Sequence, residues 1–269
     1  MIAVLYIFSL FSISRVGVYI ICLFGVVSLI AGIIAFIKQK RSISEILTPG
    51  LVIYILLFFI AWRATKDMQF SKWDEFSHWG LVVKNIYLLD GLSGHPDAFV
   101  TFNDYPPAAS LFEFLFTFFS HQFNEGSIYL GLYVLCFTLQ IQLFVNVKWK
   151  NIYKIILNTL LILILPTIFM KEFYTIIYVD ALLGILFAYI LISYFFIEEN
   201  RLGLLNIGLS FFILVLTKPS GLGLAGIAFL IIVADVLLNK YSKNLKLKNN
   251  YWIQLLSVSL LGILLARVS

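Results

Sequence analysis

The chain reads as a series of long apolar runs separated by short polar breaks, and within each run the apolar character is continuous rather than alternating. Runs of this kind mark membrane-crossing helices, since about 20 apolar residues carry a helix across the hydrocarbon core. A backbone in lipid must satisfy its own hydrogen bonds, which leaves helices or closed barrels. Barrel strands alternate apolar and polar positions, and that alternation is missing here. The pattern predicts spans at about 1–14, 16–37, 49–63, 125–147, 152–170, 180–196, 203–217, 221–239 and 251–267. The expected fold class is therefore all-α, a polytopic membrane helix bundle of about eight or nine spans forming one transmembrane domain over 1–269. The first run has no basic lead and no small-residue cleavage site, so it reads as a short span rather than a removable signal peptide.

The polar breaks are not equivalent. Lys38, Lys40 and Arg41 form one basic cluster, Lys148, Lys150 and Lys154 a second, Arg201 a third, and Lys240, Lys243, Lys246 and Lys248 a fourth. All four fall on the same side of the alternation, which the positive-inside rule makes cytoplasmic. The 64–124 loop, the 171–179 loop and the turn at Lys218 then share the outer face. A net charge of +5 in a soluble protein would point to nucleic acid. In a multi-pass protein of the cell membrane the same charge reports orientation, and no nucleic-acid partner is expected.

The 64–124 segment keeps a helical period. Phe76, Trp79, Val82, Val83, Ile86 and Leu89 recur at three- and four-residue spacing, with Ser77, Lys84 and Asn85 off that stripe. This predicts a short helix lying in the interface plane. Asp90-Gly91 and Gly94-His95-Pro96-Asp97 are turn signals, and Asp104-Tyr105-Pro106-Pro107 opens a second helix from Ala108 to Ser120.

Charged residues make up only 12% of the chain, so a local concentration of polar groups marks candidate chemistry. The densest is Trp73-Asp74-Glu75-Phe76-Ser77-His78-Trp79. Asp74 and Glu75 have the chemistry of a general base or of metal ligands, and their place at the end of a span gives access to water-borne and lipid-borne substrates. The competing reading is a solvated loop start with tryptophans as interface anchors. His78, one turn later, is a candidate acid, base or ligand, or a plain polar contact. Asp180 precedes a span, where it suits a helix N-cap as well as a site carboxylate. Lys218 is either a snorkelling anchor or a phosphate contact, with Lys84, Lys171 and Arg63 as rivals. Glu113, inside an apolar run, would be costly if buried unpaired, so it is expected to face the outer cavity or to pair with a base. His95 and His121 are loop residues, and Cys22 and Cys136 lie in spans without metal-ligand spacing. Nucleotide loops, zinc pairs and serine nucleophile elbows are missing. An outward-facing site has no nucleotide pool, so an activated donor would have to arrive in the membrane.

These residues resemble the polytopic glycosyltransferases of the GT-C fold, in particular the protein-mannosyltransferase and lipid A aminoarabinose-transferase branches. The likeness rests on Asp74-Glu75 in the first large outer loop with a following interfacial helix, Tyr105-Pro106-Pro107 before the next helix, Tyr178-x-Asp180, and Leu216-Thr217-Lys218. It covers about 50–240. The resemblance implies transfer of a sugar from a polyprenyl-phosphate carrier to an extracytoplasmic acceptor, by in-line displacement with inversion. It implies Asp74 as the base, Glu75 as its assistant or the holder of a divalent ion together with Asp74, and Asp180 as the second acidic group. Lys218 or Lys84 would hold the carrier phosphate, with His78, Tyr105 and Lys171 also lining the substrate site. Two departures stand out. Relatives continue with further spans or an outer soluble domain, so a C-terminally truncated chain is expected, and two spans rather than one precede the carboxylate loop.

Two other classes compete. A transporter or flippase of a lipid-linked or polar solute would place ionisable residues near the midplane on broken helices. A structural subunit would use the aromatic loop as a binding surface and tolerate loss of Asp74.

Overall fold

The computed structural model describes residues 1–268 apart from Arg41, Ser93, Asn103, Asp104, His121 and the segments 197–200 and 242–250. Arg41, Lys243, Lys246 and Lys248 of the basic clusters, the aspartate opening the Asp104-Tyr105 turn, and His121 therefore lie outside the described residues. Among the described residues all regular structure is helical. The helices are α1 (Ile2–Leu10), α2 (Ser14–Lys38), α3 (Ile43–Ile46), α4 (Pro49–Thr65), α5 (Gly80–Leu89), α6 (Ala108–Phe118), α7 (Glu125–Gln140), α8 (Ile152–Phe169), α9 (Asp180–Phe196), α10 (Arg201–Val215), α11 (Gly221–Tyr241) and α12 (Tyr251–Val268). Most begin and end within a few residues of the predicted runs.

Four of these stretches are long and apolar enough to cross a membrane: Ser14–Lys38, Glu125–Phe144, Ile152–Phe169 and Gly221–Leu238. Other apolar helices, α4, α6, α9, α10 and α12, are shorter. The expected first span is corrected. α1 has 9 residues, about half of what a crossing needs. It ends where Ser12 takes a left-handed backbone, φ 55°, and folds back on α2, with the Ser9 and Ser14 hydroxyls 2.7 Å apart.

The chain divides into two compact units, Met1–Asn103 with Ala109–Tyr178, and Asp104–Ala108 with Val179–Ser269. In the first unit α4 and α7 run antiparallel: Gly50 lies against Phe144 at one end and Gly126 against Thr65 at the other. The loop after α7 docks by the Trp149 indole, which donates to the Leu47 carbonyl at 2.8 Å. In the second unit α10 and α12 approach at backbone distance, because Gly262 lies directly on the Gly208 carbonyl. Small residues permit such contact where lipid supplies no hydrophobic drive between helices.

The helix predicted after Asp74-Glu75 forms, but it begins with a π turn over Glu75–Trp79 before α5. That turn holds extra residues compared with an α turn, so the face shifts. Trp79, Val82, Val83 and Ile86 are buried as the stripe requires, whereas Phe76 is 55% exposed, and Ser77 and Asn85 are buried. α5 ends at Asp90 in the left-handed region, φ 60°, a conformation that aspartate tolerates. Asp90 then fixes the start of α2, its carboxylate accepting from the Arg15 amide at 2.7 Å.

Candidate active site

Glu75 is fully buried, with 0% of its surface exposed. Its Oε2 accepts from the backbone amides of Ser71 and Lys72 at 2.7 and 2.9 Å. Its Oε1 accepts from the Tyr129 hydroxyl at 2.6 Å and the Ile177 amide at 3.0 Å. The first pair is the reach-back that a glutamate makes at a helix start. The second pair ties the turn to α7 and to the 171–178 loop. Four donors, all neutral, occupy about the four lone-pair sites that a carboxylate offers.

That saturation leaves Glu75 no free lone pair for a divalent ion. A cation at Glu75 would meet the hydrogens of four donors, and among the described residues no three His, Cys, Asp or Glu side chains gather as a metal group. Glu75 so bonded does not fit a divalent ion.

Asp74 is different. It caps the π turn from an αR backbone and stays half-buried, with the Tyr178 hydroxyl donating to its carboxylate. Burial, then this bond, then the charges of Asp74, Glu75 and Glu172 push the Tyr178 phenol up to about 12, so it remains a donor at neutral pH. The adjacent ion pair from Lys72 to Glu172, at 3.2 Å, closes the same two loops on each other.

His78 is buried between aromatic edges, 4.7 Å from the Trp79 ring and 5.7 Å from that of Phe102. Lys84 is exposed and reaches over the Phe123 ring at 5.7 Å, a cation–π arrangement. Lys171 and Arg63 are exposed. An open cleft of about 600 Å³ borders the turn through Phe70 and Phe76, and its lining includes the polar residues Lys66, Gln69, Asn124 and Glu125. Neither Asp74 nor Glu75 lines it.

Tyr105, Asp180 and Lys218 belong to the second unit. Asp180 opens α9 and accepts from the Lys218 ammonium at 2.8 Å, both side chains being partly exposed. Lys218 sits in the tight turn between α10 and α11, where its carbonyl takes the Gly221 amide at 2.8 Å. Tyr105 is half-buried in the segment that docks through the Ala108 amide on the Leu216 carbonyl, 2.8 Å. The structure thus pairs Asp180 with Lys218, and it gathers Asp74, Glu75, Tyr129 and Tyr178 in the other unit.

Glu113 departs from expectation. Among the described residues it meets no base, it is 1% exposed, and its Oε1 has no hydrogen-bond partner there. The sequence reading also passed over Tyr129 and Asp235. Asp235 accepts from the Tyr194 hydroxyl at 2.7 Å, and an acidic residue inside a predicted span was the available signal for it.

No family model, curated protein or solved structure matches this chain.

Proposed function

We propose that the chain is a polytopic membrane glycosyltransferase of GT-C type. It would move a sugar from a polyprenyl-phosphate carrier to an extracytoplasmic acceptor by inverting displacement, with α4, α9, α10 and α12 joining the four long helices in a bundle of about eight spans. The observation that supports this reading best is the contrast between two neighbouring carboxylates. Glu75 is sealed by four donors, whereas Asp74 is half-buried with one phenol on its carboxylate, on a backbone that the Glu75 contacts hold still. A general base needs that combination of access and fixed position. In this reading Asp74 takes the acceptor proton and Tyr178 orients the carboxylate. The carrier phosphate, whose charge grows as it departs, needs a cation of its own.

The test is turnover of a polyprenyl-phosphate sugar by the purified protein. Asp74→Asn should lower turnover per folded molecule by roughly a hundredfold or more, the range of general-base catalysis, with abundance close to that of the wild type. Full activity in this variant would remove Asp74 from the reaction.

Glu113 gives specific support to a second reading, transport of a lipid-linked or polar solute, because a buried ionisable group within an apolar helix is a usual mark of a coupled pathway. Transport would be read as movement of the intact lipid-linked sugar between leaflets without transfer.

A further inference from the structure

The first unit contains a carboxyl that the transferase reading leaves unused. Glu113 stands near the middle of α6 and packs against α7 at Gly131, where a methyl group added to the glycine would come within 2.8 Å of the Glu113 Cα and 3.3 Å of its Cγ. The glycine makes room for the glutamate stem. The carboxyl is then enclosed: the side chain is 1% exposed and, among the described residues, Oε1 has no hydrogen-bond partner.

Among the described residues no cation or donor is bonded to this carboxyl, although the hydroxyls of Ser110 and Thr117, one turn away on either side in α6, are buried with it. Around Glu113 on α6 stand Leu111, Phe112, Phe114 and Leu115, all buried. The titratable neighbour on α7 is Cys136, which lies within electrostatic reach. α2 meets α6 through the Tyr19 and Phe118 rings, 5.5 Å apart. An ionised carboxylate in such a place lacks both a cation and donors, and a group so placed neutralises instead of staying charged. Burial accordingly holds Glu113 well above the ordinary carboxylate range. Glu75 shows the contrast, since the same side chain, equally buried, is met by four donors.

We propose that Glu113 is a proton-binding site, a carboxyl that carries its proton at neutral pH in the enclosed contact between α6 and α7. Its ligand is the proton itself. This inference does not rest on the transferase reading, and either can fail alone.

The experiment is infrared spectroscopy of the purified full chain carrying glutamate labelled with carbon-13 at the side-chain carboxyl, so that glutamate bands separate from aspartate bands. The wild type should show the carbonyl stretch of a protonated glutamate between about pH 6 and about pH 8, where an ordinary glutamate is fully ionised. The band should vanish in Glu113→Gln. In Glu113→Asp the only protonated carboxyl left would be unlabelled, so the labelled band should be lost there too, which serves if the glutamine variant does not fold. Absence of the band from the wild type at neutral pH would overturn the proposal, and so would its survival in a folded variant. Loss of the band on adding sodium chloride at fixed pH would also overturn it, by making Glu113 a metal-cation site.

Discussion

At the residue scale the lesson lies in Asp74 and Glu75, identical in charge, adjacent in sequence and divided by what reaches them. Removing an acceptor from a buried donor costs about 1–3 kcal/mol for each donor left without a partner. In Glu75→Gln the amide NH2 replaces one acceptor oxygen, so at least one of the four donor contacts is opposed by another donor. The expected result is a loss of about 2–4 kcal/mol or failure to fold, read as a lower unfolding temperature in detergent. Glu75→Gln with wild-type stability would refute the positioning role. The sequence singled out both carboxylates, because charge is scarce and this loop concentrates it. It did not separate their roles, because the contacts that seal Glu75 come from Tyr129, 54 positions away, and Ile177, 102 positions away. Spacing within one loop carries no information about such partners. The same limit misplaced Glu113: solvation cost alone predicted a partner or an exit to water, whereas the group has the third option of holding a proton.

At the element scale, helical periodicity placed most helices to within a few residues, since hydrophobic runs in a membrane protein are bounded by sharp polar breaks. What it missed was local geometry. A 3.6-residue period assigned Phe76 to the buried stripe, but the π turn moved it outward and turned Ser77 inward. Such turns are frequent at functional sites, and the period alone gives no sign of one. Gly80 is where this geometry is most exposed to perturbation. A methyl group there would run into the Phe70 ring and lie 2.8 Å from the Glu75 carbonyl oxygen. Gly80→Ala is therefore expected to cost about 1–3 kcal/mol through overpacking and to reduce turnover by disturbing Asp74 at the start of the turn. Thermal unfolding and turnover, measured on the same preparation, check both. A variant as stable and active as the wild type would mean that the turn yields more easily than its packing indicates.

At the scale of the whole molecule the open quantity is the path of the chain across the bilayer. Four helices have the length and composition for a crossing, and the positive-inside rule is what would orient them. Within the first unit the geometry separates two ends along the antiparallel α4 and α7. At one end Trp149, flanked by Lys148 and Lys150, is hydrogen-bonded to Leu47. At the other the Glu75 turn is bonded to Ile177. If the positive-inside rule holds, the first end is cytoplasmic and the second faces outward, where a polyprenyl-phosphate sugar presented on the outer leaflet could be used. Single cysteines at Gly94 and Lys150, in a chain with Cys22 and Cys136 replaced by serine or alanine, test this in intact cells. An impermeant thiol reagent should label position 94 and should reach position 150 only after the membrane is opened. Labelling of position 150 alone in intact cells would invert the arrangement and turn Asp74 toward the cytoplasm. A nucleotide sugar would then be within reach, and the case for a lipid-borne donor, which depends on an outward-facing site, would fall with it.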